Sequence, residues 1–526
     1  MKNKWIIFTI ACATLCLGSC EKQPPADNSG SETPAQQQQQ QEDNSKTLKT
    51  RYYVNAFAYN MMDLYYLWKK EIAAGLKSWT TGDDPISTVE TIRYKDAQGN
   101  DIDRWTMVID DFDSFYGSVT GNGKTYGFDF VLMYYDQAHT TVCAVVTYTY
   151  PESPAAEAGL KRGDAIVQVN GTVMTPDNYS RVYSDLYSGD KLTVGIADDK
   201  TGKISSLSLT AKEMYENPVL LSKVFDCGDK KVGYLVYTSF TLDSYKDLIA
   251  ACTAFKEAGV SELILDLRYN GGGFSLTEQF LASMLAPESV VKAGSVLSTE
   301  VFNYEWNAYY KEQGVDTNTY FKTDFSFKSG EETVKFSTKD ANIGLNKLYA
   351  IIGSGSASAS EALLCDLFPY MDVTLVGEQS HGKYCSGLML DALTEFYENE
   401  SYISFLTKEY GNDFVTEGKT YAKNWGIYVM YSRFADKDGV TRCMPDGLKP
   451  DVEVADLPYE SYPLGDPREA MLATTLKLCG YKIRTAAEQR SFSPGHFGPR
   501  IQTEPVRADF GRFIVLPEDA HLRRTY

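Results

Sequence analysis

Between Tyr52 and Trp68 apolar residues recur every three or four positions, which predicts an amphipathic helix with an aromatic stripe. That stripe is read as packing against the next domain rather than as a ligand site. A second helix is predicted over Pro85–Tyr94. The pattern then shortens. Tyr126-Gly-Phe-Asp-Phe130 opens one strand and Val142–Val146 forms another. Pro154 and Ala155 start a short helix that Gly159 ends, and Gly163-Asp164 makes a turn. Ile166–Val169 is a strand closed by Asn170-Gly171, a type I′ hairpin signal. From about residue 217, buried strands alternate with helices: Lys231–Tyr237, then a helix over Ser244–Ala258, then Glu262–Arg268, then a helix over Thr277–Leu285. That order predicts a mainly parallel sheet with crossover helices. The same rhythm returns at Leu348–Ile352 (strand), Gly353-Ser-Gly355 (turn), Ala359–Leu367 (helix) and Val373–Val376 (strand).

These patterns divide the chain into an N-terminal helical domain over 47–118, a β domain over 119–216, an α/β domain over 217–485 and an extension of unassigned role over 486–526. The extension holds Phe510–Leu516 and a basic pair, Arg523-Arg524. Ahead of them, Lys2, Lys4 and the apolar stretch Trp5–Leu17 make residues 1–19 a targeting segment, too short to span a membrane comfortably. Leu17-Gly-Ser-Cys20 resembles the lipobox of bacterial lipoproteins, in which the cysteine becomes the lipidated first residue. Residues 20–46, with the run Gln36–Gln41, read as a disordered tether. This implies a bacterial cell-envelope protein anchored by lipid at Cys20, periplasmic or on the outer membrane.

Net charge is −19, and near −21 without the targeting segment, which argues against nucleic acid as a partner. Past Cys20 seven scattered cysteines remain, with no CxxC and no metal-ligand spacing, so neither a disulfide framework nor a metal site is expected. Cys385, two residues after Lys383, is the one near candidate chemistry.

That chemistry lies in Ser356-Ala-Ser-Ala-Ser-Glu361 and His381-Gly-Lys383. Ser358 falls at a predicted helix N-terminus, where free N–H groups favour developing negative charge. A serine attacks well only when a base takes its proton, and a lysine is a base only when neutral. A Ser-His-Asp triad is the competing arrangement. Of His139, His381, His496 and His521 only His381 sits near a serine candidate, so Ser358 with Lys383 is preferred. The triplet Gly271-Gly-Gly273 follows a strand end, where ligands bind in such sheets, and it lacks the Gly-Lys-Ser/Thr ending of a phosphate loop.

Taken in order, the run Ser153–Gly171 resembles a PDZ domain. The elements Leu265-Asp-Leu-Arg-Tyr-Asn-Gly-Gly-Gly273, Ser356–Glu361 and Lys383 then resemble the carboxyl-terminal processing proteases, the S41 serine peptidases. Gly233–Phe240 and Gly447–Val454 resemble that family's first protease strand and closing segment. The resemblance implies a multidomain α+β and α/β protein. It would have an N-terminal helical segment, a PDZ-like β-barrel, and a ClpP/crotonase-like protease domain with a mainly parallel sheet. It implies Ser358 as nucleophile, Lys383 as general base, and the N–H groups of Gly272 and Ala359 as the oxyanion hole. Gly127, Phe128, Asp129 and Phe130 match the PDZ carboxylate-binding loop and its strand. Gly387 stands where many relatives carry a glutamine that orients the lysine, and His381 where they carry phenylalanine. Orientation must come from elsewhere: His381 and Ser386 are the candidates, and Glu361 a supporting residue. The implied function is a serine endopeptidase that needs no cofactor and no metal. It would cleave unstructured or C-terminal regions of envelope polypeptides through an acyl-enzyme. A non-catalytic peptide-binding scaffold is the alternative. The sequence sets no oligomeric state.

Overall fold

A computed structural model describes residues 34–198, 201–330, 332–460, 462–482, 497–501 and 512–515. The targeting segment and Cys20 lie outside the described residues. The first helix, α1 (Pro34–Tyr65), begins inside the expected tether. That expectation is corrected for residues 34–46. Gln, Glu and Lys are good helix formers, and a helix nucleated by the packed stretch after Arg51 extends at little cost. The next helix, α2, runs Pro85–Ile92 with Asp84 accepting from the Ser87 N–H at its start. Strand β1 (Met107–Ile109) and helix α3 (Phe112–Thr120) follow.

The aromatic stripe of this N-terminal segment packs on the distant stretch 396–421. Tyr53 stacks on Tyr421 at 5.9 Å and Phe57 meets Phe396 at 5.9 Å. The Tyr397 hydroxyl donates to the Tyr53 carbonyl at 2.8 Å. β1 pairs antiparallel with residues 426–428. The stripe is therefore core, but its partner lies more than 300 residues away, which hydrophobic spacing does not reveal.

The β domain carries β2 (Phe128–Tyr134), β3 (Val142–Thr149), the short helix α4 (Pro154–Glu157), β4 (Ala165–Val169), β5 (Lys191–Ala197) and β6 (Ile204–Thr210). The strand order is β2-β3-β4-β5-β6, with β2 at the edge. Asn170 and Gly171 both have positive φ, 50° and 80°, as the predicted hairpin requires.

The α/β domain begins with β7 (Val219–Asp226), β8 (Lys231–Tyr237), helix α5 (Tyr245–Ala258), β9 (Val260–Asp266), β10 (Gly272–Phe274), helix α6 (Ser275–Leu285) and β11 (Val296–Phe302). It continues with β12 (Lys347–Ile352), α7 (Ala359–Leu367), β13 (Asp372–Gly377), β14 (Cys385–Asp391), α8 (Asn412–Tyr421), β15 (Gly426–Asp436), β16 (Val452–Glu453), α9 (Ala470–Leu478) and β17 (Arg512–Val515). One sheet has the order β7-β8-β9-β12-β13-β16 and is parallel from β8 onward, as expected. Its strands are apolar nearly throughout because both faces are covered. A second sheet, β10-β17-β14-β15-β11 with Thr319–Tyr320 at the far edge and β1 on β15, is not in the sequence reading.

Candidate active site

The two sheets meet where β9 and β12 end. The loop after β9 and the turn after β12 are tied together through Asn270. Its carbonyl accepts the Ala357 N–H at 3.1 Å and the Ser360 hydroxyl at 2.9 Å. The Ser356 hydroxyl donates to the Leu267 carbonyl at 2.7 Å. Between these anchors Ser358 sits at φ 63° and ψ −111°, a conformation a non-glycine residue holds only when its surroundings force it. The Ala359 N–H, first in α7, has no acceptor within the helix.

Glu361 joins this turn to the lysine loop. One carboxylate oxygen accepts the Ser380 hydroxyl and the Gly382 N–H at 2.7 Å. The other accepts the N–H groups of Ser358 at 2.9 Å and Lys383 at 2.8 Å. Burial raises the Glu361 carboxyl to about 7 even against those four donors.

Lys383 brings its Nζ 3.3 Å from Ser358 Oγ, and both residues are fully buried. The hydroxyl of Tyr428, on β15, lies 3.0 Å from Nζ. Sequence reasoning did not single it out. Gly387 explains its place: a Cβ there would stand 2.4 Å from the Tyr428 ring. Gly387 thus leaves room for a tyrosine arriving from the neighbouring strand. Trp105, just before β1, lays its ring 5.5 Å from the amine, so the helical segment supplies a wall of the site that its own sequence did not suggest.

The two residues expected to orient the lysine lie on either side of it in the chain. His381 is held neutral, at about 4, by burial first and then by the Arg104 and Lys383 charges. Ser386 pairs across the sheet with Ser432. Gly272 opens β10. Its N–H donates to Asn270 Oδ1 at 2.9 Å. Cys385 is buried and, like the other six described cysteines, not in a disulfide; burial pushes its thiol up.

In the β domain Gly127 turns at φ 76° and its N–H donates to Thr125 Oγ1. Gly127 and Phe128 line a cavity of about 830 Å³ that extends to α3. Phe130 stacks on Tyr187 at 4.9 Å, and Asp129 accepts from Tyr148 at 3.2 Å. The four residues stay together at the start of edge strand β2.

Residues 231–391 match the model of peptidase family S41, and residues 145–187 match that of the PDZ domain. Over 235 residues the chain is 26% identical to the carboxyl-terminal-processing protease of Synechocystis, covering 44% of this chain and 47% of that protein. Over 236 residues it is 28% identical to carboxyl-terminal-processing peptidase 1, chloroplastic, of Arabidopsis thaliana, covering 44% and 42%. The alignments span about half the length of these curated relatives. The crystal structure of a Bacteroides fragilis protein assigned to the S41 proteases superposes on 80% of this chain and 96% of its own, with TM-score 0.56 and 22% identity, a likeness of fold.

Proposed function

We propose, for a chain that carries an S41 peptidase domain behind a PDZ domain, a serine endopeptidase acting through Ser358 and Lys383. The observation that carries this reading is the 3.3 Å approach of Lys383 Nζ to Ser358 Oγ at a strained turn opening α7. Lys383 acts in its neutral form, with Nζ buried beside Oγ. Lys383 accepts the hydroxyl proton as Oγ attacks a peptide carbonyl, and returns it to the leaving amine. The Ala359 N–H faces the developing oxyanion, and water then releases the acyl-enzyme. The substrate class is unfolded polypeptide, with an end caught at the PDZ edge strand by strand addition. The setting is the bacterial envelope, with lipid at Cys20.

The test uses the chain from Ser45 onward as wild type, Ser358→Ala and Lys383→Ala, with an unfolded casein and cleavage read by mass spectrometry. The expected result is cleavage by wild type alone, with each variant down by about 10³ or more, the range of a lost nucleophile or base. Serine-directed acylating reagents should abolish cleavage and chelators should leave it intact. Equal cleavage by all three proteins would remove the dyad. A folded wild type that cleaves nothing, with or without residues 483–526, would favour a peptide-binding scaffold.

A further inference from the structure

Strand β17 lies between β10 and β14 and runs parallel to both. Arg512 stands opposite Gly272, Ile514 opposite Phe274 and Gly387, and Val515 opposite Leu388. Without those four residues, two strand edges would face each other across a gap one strand wide, about 9.5 Å at 4.7–4.9 Å per strand spacing. Both edges lead to the chemistry. β10 starts at the loop whose Asn270 holds the Ser358 turn, and β14 starts two residues after Lys383. A slot with backbone donors and acceptors on both sides grips an extended chain of almost any sequence, which is what a peptide substrate requires.

The PDZ edge carries a second, independent observation. Residues 498–501 lie along β2 as an added antiparallel strand. The Gly498 N–H donates to the Tyr134 carbonyl at 2.9 Å, Tyr134 N–H to the Pro499 carbonyl at 3.2 Å, and Ile501 N–H to the Leu132 carbonyl at 2.8 Å. Phe497 is buried beside Tyr459, at 4.9 Å, and Ile501 packs onto the core that includes Phe128 and Phe130. Arg500 then reaches Asp456 at 3.3 Å and Ser354, in the turn leading to Ser358, at 3.4 Å. Meanwhile Ser358 and Lys383 have no exposed surface.

We propose that the slot between β10 and β14 is the peptide channel of the catalytic centre. It takes unfolded polypeptide in extended form. The chain's own residues 512–515 and 498–501 hold that channel and the PDZ edge in cis, so an incoming polypeptide must displace them. This rests on the peptidase reading.

The test compares the full chain, Ile514→Asp, and a chain ending at Lys482, by their rate of Ser358 labelling with a fluorophosphonate and by casein cleavage. A segment carried on the same chain meets its site at an effective concentration on the order of mM. A segment binding in trans at about 0.1 mM would then be seated ~10:1, and removing it should raise both rates about tenfold. Ile514→Asp should move the same way, and a synthetic peptide of residues 510–517 should slow the shortened chain again. Unchanged rates in a cooperatively melting shortened chain, with no effect of the peptide, would overturn the proposal. So would loss of cooperative melting, because β17 would then be part of the core rather than an exchangeable occupant. If Ser358 labels in none of the proteins, the peptidase reading fails by itself. Fluorescence anisotropy of the labelled peptide on the shortened chain then decides occupancy: saturable binding keeps it and no binding removes it.

Discussion

At the scale of single residues, the site turns on one exchange. Relatives are expected to orient the lysine with a glutamine from its own loop; here a tyrosine from β15 reaches into the space that Gly387 leaves. Tyr428→Phe removes that hydrogen bond and little volume. A bond of this kind contributes about 1.5–3 kcal/mol, so kcat should fall roughly ten- to hundredfold while KM and the melting temperature stay close to wild type. A variant with wild-type kcat would show that Lys383 is oriented by something else. His381 carries a second prediction, on stability. Its folded pKa of about 4 lies below the ordinary 6.5, so between those values the unfolded chain binds the extra proton. Stability therefore falls as pH drops from 6.5 to 4, by up to about 3 kcal/mol at 1.36 kcal/mol per unit. His381→Phe should flatten that limb in urea titrations run from pH 7 to 4. Glu361, raised to about 7, slopes the other way in both proteins and cancels from the comparison.

At the scale of elements, the parallel sheet was legible because its strands are buried on both faces and read as unbroken apolar runs. β8 and α7 match their expected bounds, and β12 starts one residue early. The pairing of Ser358 with Lys383, 3.3 Å apart, was legible because small residues around the serine and a loop lysine form a local pattern. The second sheet was not. β10 and β17 are three and four residues long, too short for periodicity, and β1 and β15 find each other across three hundred residues. Tyr428 was invisible for the same reason. Its role is set by a strand pairing, and inside the apolar run Ile427–Tyr431 it reads as core. The length of α1 was misjudged because a polar, glutamine-rich composition signals the absence of a core, which is not the absence of a helix.

At the scale of the whole molecule, the β domain is fixed to the α/β domain through a buried charge cluster. Arg162 donates to the Tyr269 hydroxyl at 2.8 Å and pairs with Asp456 at 3.4 Å, while Arg268 binds both Asp266 and Glu469. Breaking a buried pair from one side typically costs about 3–5 kcal/mol. Arg162→Ala should cost about that much in urea unfolding, and amide exchange in β2–β6 should quicken before that in β8–β13. Equal quickening everywhere would mean that the domains do not separate at this contact. The seven described cysteines add something of practical use. All are buried and none is in a disulfide, and they are spread among these parts: Cys143 in the core of the β domain, Cys227 and Cys479 beneath β8, Cys385 beside the lysine. The chain thus carries its own set of hidden tags. A brief pulse of alkylating reagent, read thiol by thiol, reports which room of the protein opens first when a polypeptide arrives.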